Sequence, residues 1–284
     1  SIPRASIDQI TVITGGLPAR YGDVTGGVVS ITTRGVSSEY HGGVEYLTSG
    51  VKLSDNTYIG TDPYGYNLVE LSLSGPFLSR TDSNNIKKPL LGFFLSGNYT
   101  SNLDPRPSAV GAWKIKDDQL AMLKADPLRQ GFTDNSVIPN TDYYRLNNFE
   151  RVKVRPNTNN QGANLSGKVT VATTSSTDLT FGGSLNYSKG QRYDYDHSLL
   201  DFESYPEETN LDWRVYGRFT QRFDNGGQAG DESSASLIKN AFYSIQADYS
   251  QEYFKRQNPD LKDDIFKYGY IGKFQTFQTE DYAI

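Results

Sequence analysis

Alternation of apolar and polar residues runs through most of this chain and constrains its fold more than any other feature. From position 37 onward, about eight segments alternate with a period of two, each near the 9–11 residues of a tilted membrane-spanning strand. One segment sets Val69, Leu71 and Leu73 against Glu70 and Ser72. The pattern predicts an all-β chain whose strands have one apolar face and one polar face.

Alternation alone fits both a soluble sandwich and a membrane barrel. Two details favour a transmembrane antiparallel β-barrel. Aromatic residues stand at predicted strand ends, as at Tyr99, Tyr187, Tyr249 and Phe223, which suits the interfacial girdles of a barrel. The polar faces are rich in Ser, Thr and Asn rather than in the Lys and Glu of a soluble surface. Apolar side chains such as Leu71 are therefore expected to face lipid.

Composition excludes several classes of function. The chain has no Cys and two His, His41 and His197, so thiolate chemistry and a disulfide framework are excluded and a His-based metal site has little material. The net charge of -5 gives no support for nucleic acid as a partner. A transmembrane helix needs a run of about 20 apolar residues, and the sequence contains no such run. No cofactor motif and no catalytic motif are present, so an enzyme is not expected.

The predicted connections are unequal in length and alternate between short and long. Thr174–Thr177 is a tight turn, whereas residues 101–161 and 189–208 form long connections. Barrels of the outer membrane have short periplasmic turns and longer extracellular loops, so both long connections are expected outside. Within the first, residues 117–124 are predicted to form a helix, because acidic residues come early and Lys124 comes late. The sequence also predicts an eighth strand over residues 266–275.

Residues 1–35 differ from the rest of the chain. Two short β-branched segments flank a glycine-dense connection from Thr14 to Gly27, where glycine permits positive φ and close backbone approach. A phosphate-binding loop does not fit, because no Gly-Lys-Ser/Thr follows and a strand rather than a helix comes next.

Residues 7–35 resemble the plug-to-barrel junction of TonB-dependent receptors, most closely the large Bacteroidota type that carries a carboxypeptidase-regulatory-like domain. In that family an Ile-x-x-Ile-x-Val-Ile strand precedes Gly-Gly, then Ala-x-Tyr-Gly, a second Gly-Gly, and Val-Val-x-Ile-x-Thr with a basic residue and Gly. The chain matches this order with Ile7, Ile10, Val12, Ile13, Gly15, Gly16, Ala19, Tyr21, Gly22, Gly26, Gly27, Val28, Val29, Ile31, Thr33, Arg34 and Gly35. Thr14 stands where many members have Arg.

The resemblance implies a division of the chain into the C-terminal end of a plug domain, residues 1–35, and the first part of a barrel, residues 36–284. About eight strands of an expected 22 or so fit here. It further implies the outer membrane of a Gram-negative bacterium, a TonB-type inner-membrane energy-transducing partner, contact with outer-membrane lipid, and energised uptake of a bulky solute. Glycans, peptides and siderophores suit the aromatic loops equally well. The alternative is a receptor-like barrel that docks in a surface or secretion complex, with a surface lipoprotein or complex subunit as partner and no transport.

Three sets of site residues follow. The first set is the plug–barrel junction: Gly15, Gly16, Tyr21, Gly22, Gly26, Gly27, Arg34 and Gly35. Tyr21 is expected to pack between the plug and the barrel wall. Gly22, Gly26 and Gly27 are expected at positions where a Cβ would clash or where φ is positive. The second set is a candidate ligand-contacting loop surface, for which a self-packed loop is the alternative: Tyr143, Tyr144, Tyr193, Asp194, Tyr195 and Asp196.

The third set lines the lumen and comprises Glu70, Arg214 and Arg218. The two arginines could contact an anionic solute, but salt links between wall and plug are the favoured interpretation. His41 and Glu45 are too far apart for an acid–base pair, since four residues along a strand span about 13 Å.

Overall fold

The computed structural model describes residues 4–16, 26–53, 56–59, 65–81, 87–132, 136–174, 176–223 and 241–268. Within these ranges the chain forms mostly strands, one α-helix and short 3₁₀ turns. The bounds are β1 Ile7–Ile13, β2 Val28–Thr33, β3 His41–Thr48, β4 Val51–Leu53, β5 Asn56–Ile59, β6 Asn67–Thr81, β7 Lys87–Asn102, β8 Ala112–Ile115, α1 Asp117–Ala125, β9 Leu128–Gln130, β10 Val137–Pro139, β11 Phe149–Val152, β12 Asn160–Ala172, β13 Thr177–Gln191, β14 Glu207–Phe223 and β15 Ala241–Gln257.

Seven long strands form one sheet, which we call the wall. Its order is β3-β6-β7-β12-β13-β14-β15, and each strand pairs antiparallel with the next one. This up-and-down order follows the chain, as expected when neighbouring strands are joined by turns or loops. The first seven predicted segments are thus confirmed.

The two faces of the wall have the burial pattern of a membrane barrel. Leu71 and Leu95 are 53% and 45% exposed, whereas Glu70 and Ser96 are 3% and 1% exposed. A soluble sandwich would bury the apolar face and expose the polar one. The inverted pattern is that of a transmembrane antiparallel β-barrel, of which the wall is a part, with its apolar face toward lipid.

Aromatic rings bound this apolar face at both ends. The register places Tyr46, Tyr99, Tyr187 and Tyr253 in one row across the wall. Near the other end of the strands, the Tyr243 ring packs 5.8 Å from Phe223. At about 3.3 Å per residue and a tilt of about 40°, the stretch of β15 from Tyr243 to Tyr253 rises by about 25 Å, which is the height of the apolar band in such barrels.

Aromatic placement follows the prediction at three of its four positions. Tyr99 and Tyr187 lie in the outer row, and Phe223 lies at the opposite end. Tyr249 lies inside the band instead, with its ring 5.4 Å from Trp213, because it comes four residues before Tyr253 on the same strand.

The long connections gather at one end of the wall and pack into what we call the cap, residues 103–159 and 192–206. Strands extend farther than expected, so the second connection begins after Gln191 and ends before Glu207. The Ile115 amide donates to the Leu199 carbonyl at 3.0 Å and joins the two connections. The tight turn 173–176 lies at the opposite end, where the Thr173 amide donates to the Thr177 carbonyl at 3.0 Å.

The cap has its own hydrophobic core. Helix α1 begins at Asp117, as predicted, with acidic residues in its first turn and Lys124 in its last. Its Leu120 packs with Ile115, Phe202 and Tyr205. None of the described helical residues forms a helix that is long and apolar enough to cross a membrane.

The eighth strand was predicted wrongly where it can be compared. Residues 258–268 form turns, and residues 269–275 lie outside the described part of the chain. Asn258 Oδ1 accepts the amides of Asp260 and Leu261, and the Tyr268 hydroxyl donates to the Lys262 carbonyl at 2.8 Å. Such local side-chain bonds compete with strand pairing, and they hold this segment in turns.

Candidate functional site

The polar face of the wall consists of cross-strand rows of small hydroxyl and amide side chains. One row joins Ser72, Ser96, Ser166, Ser184 and Arg214 through the register of neighbouring strands. Ser96 Oγ and Ser166 Oγ lie 3.0 Å apart within hydrogen-bond reach. These rows satisfy the polar face while leaving it wettable, as the interior of a pore requires.

The adjacent row carries amides flanked by acids. Asn98, Asn164 and Asn186 occupy successive strands, with Glu70 beyond Asn98 and Asp212 beyond Asn186. The Asn164 side-chain amide donates to Asn98 Oδ1 at 2.7 Å. Glu70 is buried on the polar face, on the side predicted for a lumen-facing residue.

Above this row is a polar cavity of about 260 Å³ toward the cap. Among the described residues, two of its buried oxygens accept no hydrogen bond: Asn102 Oδ1 and Asp212 Oδ1. Oxygens of this kind need a donor from water or a solute.

The two predicted arginines of the polar face are held by the wall itself. Arg214 Nη2 lies 3.2 Å from Asp248 Oδ1. Arg218 donates from Nε and Nη2 to Gln246 Oε1 at 2.9 and 2.7 Å. Salt links from these arginines to the plug were the favoured interpretation. Among the described residues, both arginines bond to β15 of the wall instead. The reason is that β15 offers each arginine an oxygen. Gln246 lies in the register row of Arg218, and Asp248 lies two residues from Ser250, the register partner of Arg214.

The segment before the wall reaches the polar face through a lysine that was not among the predicted site residues. Lys168 of β12 donates from Nζ to the Thr33 carbonyl at 3.0 Å and to Thr33 Oγ1 at 3.1 Å. Thr33 is the last residue of β2, which pairs antiparallel with β1. The polar face of β12 otherwise carries Asn164, Ser166 and Thr170. The one charged side chain among them, Lys168, is the sequence signal that could have indicated this contact.

The predicted junction residues divide between the described and undescribed parts of the chain. The Arg34 amide donates to the Ser6 carbonyl at 2.8 Å, and Arg34 Nε to the Ile7 carbonyl at 3.4 Å. Gly35 lies between β2 and β3, and Gly15 follows β1, with no described atom within 4 Å of a Cβ at either. Tyr21 and Gly22 lie outside the described residues.

The remaining junction glycines meet expectations in part. A Cβ at Gly27 would lie 2.9 Å from the Ile13 carbonyl oxygen, and Gly16 has φ +63°. Both positions therefore favour glycine. A Cβ at Gly26 would meet no described atom within 4 Å, so the clash expected there is not found among the described residues.

A buried ion pair holds the base of the cap. Asp104 is fully buried and accepts two bonds from the Arg155 guanidinium, at 3.0 and 2.6 Å. The amides of Arg106 and Arg155 also donate to it, at 2.9 and 3.1 Å. Burial by itself would raise the pKa of Asp104, but these bonds outweigh it and hold the pKa below its ordinary value.

The same arginine joins the two connections of the cap. Its guanidinium carbon lies 4.3 Å from the centre of the Tyr193 ring, a cation–π contact. Tyr193 packs edge-on against Tyr205 at 5.6 Å. Arg155 and Tyr193 also line a cavity of about 600 Å³ at the mouth of the polar face, together with Arg106 and Arg192.

The predicted loop surface separates into packed and exposed members. Tyr144 and Tyr193 pack against the cap core, which agrees with the self-packed alternative. Tyr143 lies under the Arg129 guanidinium at 4.1 Å and is partly exposed. The exposed face of the second connection consists of Asp194, Tyr195 and Asp196, of which Tyr195 is 80% exposed.

The described residues contain no group of three His, Cys, Asp or Glu side chains that is arranged to hold a metal ion. His197 Nδ1 lies 2.9 Å from Asp201 Oδ2. The two residues are four positions apart, so this is a local pair within one loop. The described site residues offer hydrogen bonds, charge and aromatic contact to a bound solute.

Comparisons with known proteins show what the chain is similar to. No family model matches the chain. Two solved structures of a ferric enterobactin receptor (PfeA) from Pseudomonas aeruginosa, the G324V and R480A/Q482A mutants, superpose with TM-scores of 0.37 and 0.38. They are 15% and 16% identical, and each match covers 91% of this chain and 34% of that one. At these scores the superpositions add no support.

The sequence comparison is more specific. The "Probable TonB-dependent siderophore receptor PirA" of Acinetobacter baumannii is 30% identical over 152 residues, which cover 46% of this chain and 18% of the relative. The chain thus spans less than a fifth of that protein in the match. Together with the ordered motif of residues 7–35, this similarity supports a fragment of a TonB-dependent receptor. TonB-dependent receptors lie in the outer membrane of Gram-negative bacteria, and the similar protein is named as a receptor rather than as an enzyme.

Proposed function

We propose that the receptor to which this chain belongs performs energised uptake of a bulky solute across the outer membrane. In this proposal residues 1–35 are the end of a plug and residues 36–284 begin the barrel. The plug blocks the lumen until a TonB-type protein of the inner membrane pulls on it, and the solute then passes along the polar face.

The observation that carries this proposal is the contact between Lys168 and Thr33. It anchors the end of β2, the strand that follows the glycine-dense connection, on the polar face of the wall, which is the side where a plug would lie. The contact consists of two hydrogen bonds to neutral oxygens. A hydrogen bond from a charged donor contributes about 1.5–3 kcal/mol, so an anchor of this size can hold the segment at rest and release it under force.

An anionic iron chelate of the siderophore class is the solute that we propose. The relative that is 30% identical over 152 residues is named as a siderophore receptor. The mouth cavity adds a physical argument, because Arg106, Arg155 and Arg192 line it together with one acid, Glu208. Arg192 lies 3.6 Å from Glu208 and Arg155 pairs with the buried Asp104, so among the described residues Arg106 has no carboxylate partner and one positive charge is in excess. Arginine donors and an aromatic ring suit a carboxylate- or catecholate-bearing chelate. A neutral glycan would form no ion pair with these arginines.

Uptake by cells tests the proposal. The full-length receptor would be expressed in a strain without other siderophore receptors and supplied with ⁵⁵Fe chelates of the anionic and neutral classes. We expect accumulation of an anionic chelate that stops when the TonB-type protein is deleted, while binding at 0 °C continues.

Two other results would contradict the proposal. Accumulation that persists without the energy-transducing protein would exclude energised uptake. Binding without accumulation in any strain would favour a docking barrel in a surface complex.

A further inference from the structure

A cavity between β2 and the wall collects three cationic side chains. Its volume is about 320 Å³. On one side are Ile31 and Thr33 of β2, and on the other are Lys168, Arg214 and Arg218 of the polar face. Several water molecules or one small solute group fit in this space, because a water molecule occupies about 30 Å³.

The positive charges in this cavity exceed the negative ones among the described residues. Lys168 bonds to the carbonyl and hydroxyl of Thr33, which are neutral. Arg218 bonds to a neutral amide oxygen. Arg214 alone has a carboxylate in contact, that of Asp248, and Asp8 of β1 attracts Lys168 from beyond ion-pair distance. Three cations against two carboxylates leave an excess of one positive charge.

The donors left over in the cavity suit an oxyanion. A guanidinium presents five donors in all. Arg218 uses Nε and Nη2 on Gln246, and among the described residues Nη1 has no acceptor. The cavity is also lined by Ser184, whose hydroxyl can donate. Charge-assisted bonds from guanidinium and ammonium groups to carboxylate or phosphate are about twice as strong as neutral ones.

We propose that this cavity is an oxyanion site on the polar face, which takes one carboxylate- or phosphate-type group. The inference rests on the proposed function, because a solute can reach the cavity only if the polar face lines the path. The oxyanion can come from a passing anionic solute or from a carboxylate of the chain itself. The acid in the glycine-dense segment from Thr14 to Gly27 is Asp23, which lies outside the described residues. In either case the site couples the position of β2 to negative charge in the lumen.

Selenate tests the site directly, because selenium scatters X-rays anomalously and the ion has the shape of phosphate. Crystals of the full-length receptor would be soaked in sodium selenate at several concentrations. We expect an anomalous peak within hydrogen-bond distance of Arg218 and Lys168. Arg218→Gln and Lys168→Met should weaken occupancy about tenfold or more, as expected when a charged hydrogen bond is lost.

The matched control is Arg222→Gln. Arg222 lies on the same strand and the same face, outside the cavity, and pairs with Asp178. Its replacement should leave the selenate peak unchanged. A peak that survives Arg218→Gln, or that disappears equally in Arg222→Gln, would overturn the assignment.

The two sources of the oxyanion give different results. If a carboxylate of the chain occupies the cavity, selenate should enter only after Asp23→Asn, and the site stands with a resident partner. If the cavity takes selenate in neither form, the proposal is wrong. Uptake by the unmodified receptor keeps this test separate from the proposed function. Normal uptake by the unmodified receptor, together with a cavity that takes no selenate before or after Asp23→Asn, removes the oxyanion site alone, whereas absent uptake in the unmodified receptor removes the proposed function.

Discussion

Replacement of Asp104 by Ala should loosen the whole cap. Asp104 is fully buried and receives four hydrogen bonds, two of them from the Arg155 guanidinium. Removal of one partner from a buried pair leaves the other charge uncompensated, which costs about 3–5 kcal/mol. The side chain of Arg155 is 15% exposed, so water compensates only a small part of this cost.

Hydrogen exchange of the full-length receptor measures this loss peptide by peptide. Since about 1.4 kcal/mol corresponds to a factor of ten, the described amides of the cap should exchange faster in Asp104→Ala by a factor of roughly 10² to a few times 10³. The wall strands should keep their protection, because they are held by their own ladders. Both connections should respond together, since Arg155 also stacks on Tyr193.

Glu203→Ala is the matched control. Glu203 is also a carboxylate that joins the two connections of the cap, but it pairs with Lys124 at the exposed surface, where ion pairs contribute little. Its replacement should change exchange hardly at all. Unchanged exchange of both connections in Asp104→Ala, or equal effects of the two replacements, would refute the reasoning.

Three further predictions follow from burial and charge. Folding lowers the pKa of Asp104. The stability that Asp104 gives the cap should therefore be complete above the ordinary Asp pKa of about 3.9 and be lost as the pH falls below that value. Loss of cap protection already between pH 7 and 5 would contradict this. Tyr205→Phe should leave the stability of the cap unchanged or raise it slightly, because the buried hydroxyl has no partner among the described residues. Tyr205→Ala should lower that stability by about 3–5 kcal/mol. Thermal unfolding of the cap measures both variants. Leu95→Arg, in the middle of the apolar band, should destabilise the barrel by about 2–4 kcal/mol, and Leu71→Arg, one row from the outer tyrosines, by less; equal costs in urea unfolding from lipid vesicles would count against this depth order.

Much of the wall could be predicted because its information is local. A strand with two different faces shows a period of two in the sequence, so seven segments, their faces and the turn at 173–176 follow from the residues. Helix α1 was equally readable, since acidic residues begin it and Lys124 ends it. The same rule failed at Tyr268, because alternation of aromatic residues also arises in a loop that is held by its own side-chain bonds.

The site was less predictable because its contacts join distant residues. Asp104 and Arg155 are 51 positions apart, and Lys168 and Thr33 are 135 apart. Nothing in a single sequence pairs such positions. The self-packing of Tyr144 and Tyr193 likewise depends on how two connections meet, so composition alone could not separate packed rings from exposed ones such as Tyr195.

The central claim is that the apolar face of the wall meets lipid and the polar face lines the lumen. The chain contains no Cys, so single cysteines placed along β13 in the full-length receptor can carry spin labels without interference from other thiols of this segment. In lipid vesicles, labels at 181, 185 and 187 should be relaxed by oxygen, which concentrates in hydrocarbon. Labels at 184 and 186 should respond to a water-soluble nickel complex or to neither reagent. Equal oxygen accessibility at odd and even positions, or the reverse alternation, would contradict the account.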